Sequence, residues 1–163
     1  MAIQHKGLLL HSGGLPMTLQ DVDRVPTPEP TDTYYPILHG LLVRTVTDSF
    51  TQAGWGVRRQ EYGLARDGAR MFAWLDLVPE LLGGDGASHD DYGLVVGLRN
   101  AHDRCFTASL AIGNRVFVCD NLSFSGEVTL ARKHTRHILR DLPGSAERAV
   151  GRLMEQRYAL DTR

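Results

Sequence analysis

The sequence predicts an α+β fold, in which an antiparallel β-meander sheet of about five strands has helices packed on one face. Three observations lead to this prediction. Apolar runs of strand length alternate with turn signals between Trp55 and Cys119. Apolar residues at helical spacing precede these runs, and the same spacing returns after Glu127. Strands and helices that occupy separate stretches of a chain are typical of α+β proteins.

We predict an extended N-terminal arm for residues 1–32 and a single α+β domain for residues 33–163. The arm contains a stretch in which Pro alternates with small polar residues, which favours extended backbone. A helix is then expected from Thr33, which can cap it, with Pro36 in its first turn. Gly54 is the expected C-terminal stop of this helix.

The central hairpin gives the clearest strand signal. Trp55–Leu64 and Ala69–Val78 are rich in apolar residues, and Asp67-Gly68 between them is a strong turn signal. The imperfect alternation of the first strand predicts a bulge. The second strand has apolar residues on both faces, so we expect it at the centre of the sheet. Glu80–Asp91 has no period and predicts a loop.

Three further apolar runs predict the remaining strands, and these runs are Tyr92–Leu98, Cys105–Ile112 and Arg115–Cys119. Gly113-Asn114 predicts a tight hairpin between the last two runs. Sequential strands joined by short turns usually pair as neighbours. That pairing would place Asp120 close to His102 and Asp103, so the sequence predicts one polar cluster at this edge of the sheet.

A helical pattern is expected after Glu127. Apolar spacing puts Leu130, His134 and Ile138 on one face, so His134 is expected in the core. Another face of the same helix is basic, with Lys133, Arg136 and Arg140 at spacings of three and four residues. Pro143-Gly144 is expected to end this helix, and Ser145 to cap a last one.

Length and composition place the chain among ordinary globular proteins. The 163 residues are enough for one domain with a sizeable core, and 42% of them are hydrophobic while 23% are charged. No window approaches the ~18 apolar residues of a membrane-spanning helix, and the N-terminal residues lack the apolar run of a signal peptide. Cys105 and Cys119 form no Cys-x-x-Cys motif, which fits a thiol-reducing compartment. We therefore expect a cytoplasmic protein with no membrane partner.

Charge is distributed unevenly along the chain, although the net charge is only −1. Residues 1–97 contain seven Lys or Arg and twelve Asp or Glu, whereas residues 98–163 contain eleven and seven. A basic face on an otherwise acidic protein can bind phosphate groups locally. A solvated helix surface explains the same distribution equally well, so charge alone does not decide between the two.

Seven residues are the candidates for nucleic-acid contacts. Three of them follow a meander strand in a dense polar group, and four belong to the basic surface after Glu127, which would contact phosphates without reading sequence. They are Arg99, Asn100, His102, Arg132, Lys133, Arg136 and Arg140. A structured turn and a solvated helix face are the simpler alternatives for the two groups.

Three carboxylates, Asp103, Asp120 and Glu127, are the candidates for a metal site. They would converge if the meander pairs as predicted, and hard oxygen ligands suit Mg²⁺. Asp120 could equally cap the following turn, which is the interpretation that we favour. A metal site here would make the protein a Mg²⁺-dependent enzyme that cleaves phosphodiesters. Cys119, at a strand end, is expected to be a small buried hydrophobe rather than a nucleophile.

Five strings along the chain resemble one protein family. They are "TPEPTDTYYPILH", "GARMFAWLDL", "GLRNAHDR", "RVFVCDNLSFSGE" and "RKHT". These strings run from about Thr27 to about Thr135, and they resemble phage- and plasmid-borne proteins catalogued as domain of unknown function 932. The resemblance implies a protein of a mobile element in a bacterial host. It implies no particular chemistry.

The order of helix, β-meander and basic helix is also similar to the core of single-strand annealing recombinases of the Rad-fifty-two type. This similarity implies a DNA-transaction protein that binds single-stranded DNA, anneals complementary strands and acts as a homo-oligomer. Strand annealing needs no cofactor, and under this hypothesis we expect a binding protein more than an enzyme. A third hypothesis is a small protein that inhibits a host defence system by binding a host protein, since the acidic N-terminal half could mimic nucleic acid.

Overall fold

The computed structural model describes residues 7–79, 94–134 and 137–161 of the chain. These residues contain nine β-strands and three α-helices. The strands are β1 (Leu8–Leu9), β2 (Leu15–Met17), β3 (Trp55–Ala65), β4 (Arg70–Pro79), β5 (Leu94–Ala101), β6 (Ala108–Gly113), β7 (Phe117–Cys119), β8 (Phe124–Ser125) and β9 (Val128–Arg132). The helices are α1 (Leu19–Asp23), α2 (His39–Gln52) and α3 (Ile138–Asp161). The predicted α+β class is confirmed.

A six-stranded antiparallel sheet of order β2-β3-β4-β5-β6-β9 forms the middle layer. Strands β3 to β6 are neighbours in chain order, so the predicted meander is confirmed for these four strands. The irregular register between Val57 and Arg59 in β3 is the expected bulge. Strand β4 lies between β3 and β5 and is buried from Met71 to Leu77, as expected of a central strand. The predicted loop at Glu80–Asp91 lies outside the described residues.

The helices pack on one face of this sheet. Alternate side chains of a strand point to the same face, so Met71, Ala73 and Leu75 of β4 all belong to the core that they share with α2. Helix α2 contributes Leu42 and Val46 to this core, and α1 and α3 contribute further apolar residues. None of the helices in the described ranges is both long and apolar enough to cross a membrane.

A three-stranded sheet of order β1-β7-β8 covers the other face. Strand β1 runs parallel to β7, with Leu8 opposite Val118, and β8 runs antiparallel to β7. Val118 packs with Phe72 and Trp74 of β4 in a second, smaller core. Gly97 of β5 makes room for this layer, because a Cβ there would lie 2.6 Å from methyl carbons of both Val116 and Val118.

Strand β9, not β7, pairs with β6. The predicted hairpin at Gly113-Asn114 is therefore wrong. Ala108 lies opposite Arg132, and Ile112 lies opposite Val128. Strand β7 leaves the meander and joins the small sheet instead. The helix predicted after Glu127 is wrong for the same reason: exposure alternates along β9, which is the pattern of an edge strand with one buried face.

Helix α3 continues through Pro143, where the sequence predicts a break. A proline inside a helix costs about 3 kcal/mol or more, because one backbone hydrogen bond is lost and the ring meets the preceding turn. The buried side chains of Ile138, Leu142 and Ala146 belong to the main core and offset this cost. Ser145 is therefore not a cap; its hydroxyl donates to the carbonyl of Asp141 one turn earlier.

Helix α2 begins at His39, later than the predicted start at Thr33, and its N-cap Leu38 makes no side-chain cap hydrogen bond. The preceding segment is engaged elsewhere, since the N–H of Tyr35 donates to the carbonyl of His134 at 2.8 Å. The predicted stop is confirmed, because Gly54 has a φ of +93°, a conformation that glycine adopts without strain.

The start of the chain is more regular than the predicted arm. Residues 7–24 contribute β1 to the small sheet, β2 to the edge of the large sheet, and helix α1. Thr18 caps α1 in a capping box with Asp21. The Pro-rich stretch from residue 26 to residue 38 contains no helix or strand.

Candidate nucleic-acid interface

The strand register gathers basic residues at one end of the six-stranded sheet. Arg70 opens β4 opposite Ala101, which ends β5, and Arg132 ends β9 opposite Ala108, which opens β6. The turns and strand ends at this point supply further cations. We call this surface the cationic sheet end, and define it by Arg66, Arg70, Arg99, Arg104, Arg132 and Lys133.

Arg99 is held between two aromatic rings on the face that the small sheet covers. Its guanidinium carbon lies 4.7 Å from the ring centroid of Phe106 and 4.6 Å from that of Phe124. One terminal nitrogen donates to the carbonyl of Leu122 at 3.1 Å. Burial lowers the pKa of Arg99, and nearby Cys105 opposes this shift. An arginine remains charged even when it is partly buried. The Arg99 guanidinium is therefore a half-buried cation whose orientation is fixed by the two rings.

Two further arginines of the cationic sheet end have defined positions. The guanidinium carbon of Arg104 lies 4.4 Å from the ring centroid of Tyr34, and Arg104 itself is exposed. Arg70 is half-buried and forms an ion pair with Asp103 at 2.9 Å. Asp103 also accepts the N–H of Cys105 and so shapes the turn after β5. Arg70 is therefore a structural cation, whereas Arg104 is available to a ligand.

The predicted basic stripe on one helix does not exist, because its members belong to different elements. Arg132 ends β9 and donates to the Ser145 hydroxyl at 2.9 Å, and Lys133 follows the strand and is exposed. Arg140 lies in the first turn of α3, beside Asp141. Arg136 lies outside the described residues. Arg132 and Lys133 therefore belong to the cationic sheet end, whereas Arg140 belongs to helix α3.

Asn100 and His102 lie on the helix side of the sheet, on the face opposite the Arg99 stack. Asn100 is fully buried; its amide nitrogen donates to the carbonyl of Ile37 at 2.9 Å and to Nδ1 of His39 at 3.0 Å. Its oxygen accepts from Nε2 of His134 at 2.6 Å. A buried side chain with these partners cannot reach a nucleic acid, so the prediction that Asn100 binds DNA is wrong. The expectation that His134 is a core residue is confirmed.

A cluster of three histidines surrounds Asn100. The rings of His39 and His102 are stacked with centroids 3.9 Å apart, and Nε2 of His102 donates to the carbonyl of Ile37 at 2.8 Å. Burial lowers the pKa of His39 to about 4, with a further lowering from His102. Burial and His102 also lower the pKa of His134. His39 and His134 are therefore neutral near pH 7, and His102 is the half-buried member at the margin of the cationic sheet end.

The structure does not bring Asp103, Asp120 and Glu127 together. Asp103 pairs with Arg70, and Glu127 accepts the N–H of Asn114 at 2.6 Å. Asp120 lies in the layer of the small sheet. This layer covers one face of the large sheet, and His102 and the helices lie on the other face. The predicted carboxylate site and the predicted contact between His102 and Asp120 are therefore both wrong, because β7 does not pair with β6.

Asp120 instead holds the N-terminal segment. Its carboxylate accepts the backbone N–H groups of His11 and Ser12 at 3.0 Å and of Gly14 at 2.7 Å. Burial opposes ionisation of Asp120, but these N–H groups outweigh it and hold its pKa below the ordinary value. This arrangement brings His11 to Cys119, whose sulfur lies 3.0 Å from Nε2 of His11. In the described ranges, these three residues are the group whose donor atoms lie close enough together for one metal ion.

Sequence reasoning missed several residues of both sites. Phe106 and Tyr34 belong to the arginine stacks, and His11 completes the group with Cys119. Aromatic residues spaced among the basic ones were the available signal for the stacks. No local sequence pattern predicts the contact between His11 and Cys119. It depends on the pairing of β1 with β7, two strands that lie more than a hundred residues apart in the sequence.

No family model, curated protein or solved structure was found to match this chain.

Proposed function

We propose that the protein binds single-stranded nucleic acid across the cationic sheet end. The strand register is the observation that carries this proposal. It places six Lys or Arg residues at one end of the sheet, where the same strand ends and turns supply two carboxylates, Asp67 and Asp103. One of these carboxylates is committed to Arg70. The remaining positive charge suits the phosphate backbone of a nucleic acid.

Aromatic groups among these cations favour a single strand over a duplex. Unpaired bases stack on aromatic rings and on guanidinium planes, whereas the bases of a duplex are not exposed in this way. Half-buried Tyr34, Phe106 and Phe124 supply aromatic rings, and exposed Arg104, stacked on Tyr34, supplies a guanidinium plane. Base stacking of this kind is tolerant of sequence, so we expect little sequence preference.

A role in the DNA transactions of a phage or plasmid follows from the resemblance of the sequence and is part of this proposal. Annealing of complementary strands by a homo-oligomer is the activity that we expect. Such an activity needs positive charge and stacking surfaces, both of which the cationic sheet end has. It does not need the carboxylate metal site, whose members lie apart.

Substitution of two exposed cations tests the proposal. We expect Arg104→Gln with Lys133→Gln to weaken binding of a fluorescent oligothymidylate, measured by anisotropy across a salt series. Each phosphate contact on a single strand contributes about 0.7 to the slope of log affinity against log salt, so the slope should fall by roughly 1.4.

The control removes the same number of exposed cations at the other end of the sheet. Arg58 lies near the start of β3, and Arg115 follows the end of β6. Arg58→Gln with Arg115→Gln should leave the slope close to that of the unmodified protein. Equal losses in both double variants would show that binding is not localised, and an unmodified protein that binds no oligonucleotide would refute the proposal.

A further inference from the structure

A second cluster of functional groups lies in the small-sheet layer, outside the cationic sheet end. One ligand atom each from His11, Cys119 and Asp120 lies within 4.8 Å of the other two. Cys119 and Asp120 are buried at the end of β7, and His11 is exposed in the segment that follows β1. One thiol, one imidazole and one carboxylate form a donor set that Zn²⁺ commonly takes in proteins.

The distances are close to those that a tetrahedral ion requires. Zn–S bonds of about 2.3 Å and Zn–N bonds of about 2.0–2.1 Å place the sulfur and nitrogen about 3.6 Å apart. Sγ of Cys119 lies 3.0 Å from Nε2 of His11 and 3.8 Å from Oδ1 of Asp120. The imidazole must retreat by about half an ångström to admit the ion. It belongs to an exposed side chain, which can make this movement.

The carboxylate of Asp120 retains capacity for a cation. A carboxylate has about four lone-pair positions, and three N–H groups share them here: those of His11 and Ser12 contact Oδ1, and those of Ser12 and Gly14 contact Oδ2, so that the Ser12 N–H is divided between the two oxygens. These N–H groups also fix the orientation of the carboxylate, which is the role that outer-shell partners play at metal sites. The Ser12 hydroxyl lies 3.4 Å from Nδ1 of His11, on the ring nitrogen that would face away from the ion.

We propose that His11, Cys119 and Asp120 bind one Zn²⁺ ion, with a fourth position open to water. The ion would join the segment after β1 to the end of β7 and so fasten the N-terminal segment to the small sheet. Metal binding would deprotonate Cys119, because the thiolate is the form that coordinates zinc. This inference does not depend on nucleic-acid binding at the cationic sheet end.

Cobalt substitution tests the site directly. Full-length untagged protein is stripped with a chelator and titrated with Co²⁺, which reports a bound thiolate through a sulfur-to-cobalt charge-transfer absorption. We expect one equivalent of Co²⁺ to produce this absorption, Zn²⁺ to displace it, and Zn²⁺ alone to raise the melting temperature. Cys119→Ser and His11→Ala should each abolish the absorption. His11 is exposed, so its variant is expected to remain folded.

Cys105→Ser is the matched control, because Cys105 is an exposed free cysteine outside the cluster. This variant should bind Co²⁺ as the unmodified protein does. Failure of the unmodified protein to take up Co²⁺ or Zn²⁺ would overturn the proposal and leave a hydrogen-bonded Cys–His pair. An absorption that survives in Cys119→Ser, or that disappears in Cys105→Ser, would overturn it as well.

Discussion

Asn100 connects parts of the chain that lie far apart in sequence. Its amide binds the carbonyl of Ile37, 63 residues away, and the rings of His39 and His134, 61 and 34 residues away. Each donor of the amide nitrogen has an acceptor, so the network is well satisfied for a buried group. Such a network contributes to a unique arrangement of segments, and the loss of one member leaves the others unpaired.

The neutral state of His39 makes stability depend on pH. The folded protein holds the pKa of His39 at about 4, whereas the ordinary value is 6.5. The unfolded chain therefore binds the proton first as pH falls, and the folded state loses stability between about pH 6.5 and pH 4. The loss from this group is roughly 3 kcal/mol across that window. Urea unfolding at a series of pH values measures it.

Two variants separate His39 from the other titrating groups. His39→Gln should be less stable than the unmodified protein near pH 7 and should show a shallower decline in stability towards pH 4. His137→Gln should keep the full decline, because His137 is exposed at the start of α3. A His39→Gln protein with an unchanged slope would contradict the assignment of the effect to His39.

At the scale of elements, the stretch after Glu127 shows where sequence patterns become ambiguous. Val128 and Leu130 alternate with exposed residues, which is strand periodicity, but Leu130, His134 and Ile138 also have helical spacing. The strand forms because β6 is buried along its whole length and needs a partner on its open edge. Local patterns predicted β3 to β6 well, because continuous apolar runs specify these strands without distant partners, and Asp67-Gly68 specifies the turn between β3 and β4.

Gly97 tests how the two sheets pack. A Cβ at this position would lie 2.6 Å from methyl carbons of Val116 and Val118, so Gly97→Ala must push the small sheet outward. We expect a loss of about 1–3 kcal/mol in the free energy of unfolding, measured with urea. The control is Gly151→Ala in α3, where nothing lies within 4 Å of a new Cβ.

Gly151→Ala should stabilise the protein by roughly 0.5–1 kcal/mol, because alanine is the better helix former. A Gly97→Ala protein as stable as the unmodified one would mean that the small sheet does not pack on β5 in the way described.

At the scale of the whole molecule, the layers are joined by contacts that no local pattern predicts. Strand β1 pairs with β7 across more than a hundred residues, as Leu8 opposite Val118 shows. This pairing separates Asp120 from the other predicted carboxylates and places it beside His11. Arg99, Arg132 and Lys133 could be named from sequence as basic candidates. Their common location could not be derived, since it depends on the pairing of β6 with β9.

The central claim is that the cationic sheet end contacts single-stranded nucleic acid, and hydrogen–deuterium exchange of the complex tests it most directly. Amides in the turns and strand ends of this surface should exchange more slowly when an oligothymidylate is bound, namely those of residues 66–69, 102–107 and 133–134. Amides near Arg58 and Arg115, at the other end of the sheet, should be unaffected. Unchanged exchange in all three segments, or slowing confined to the other end, would contradict the claim.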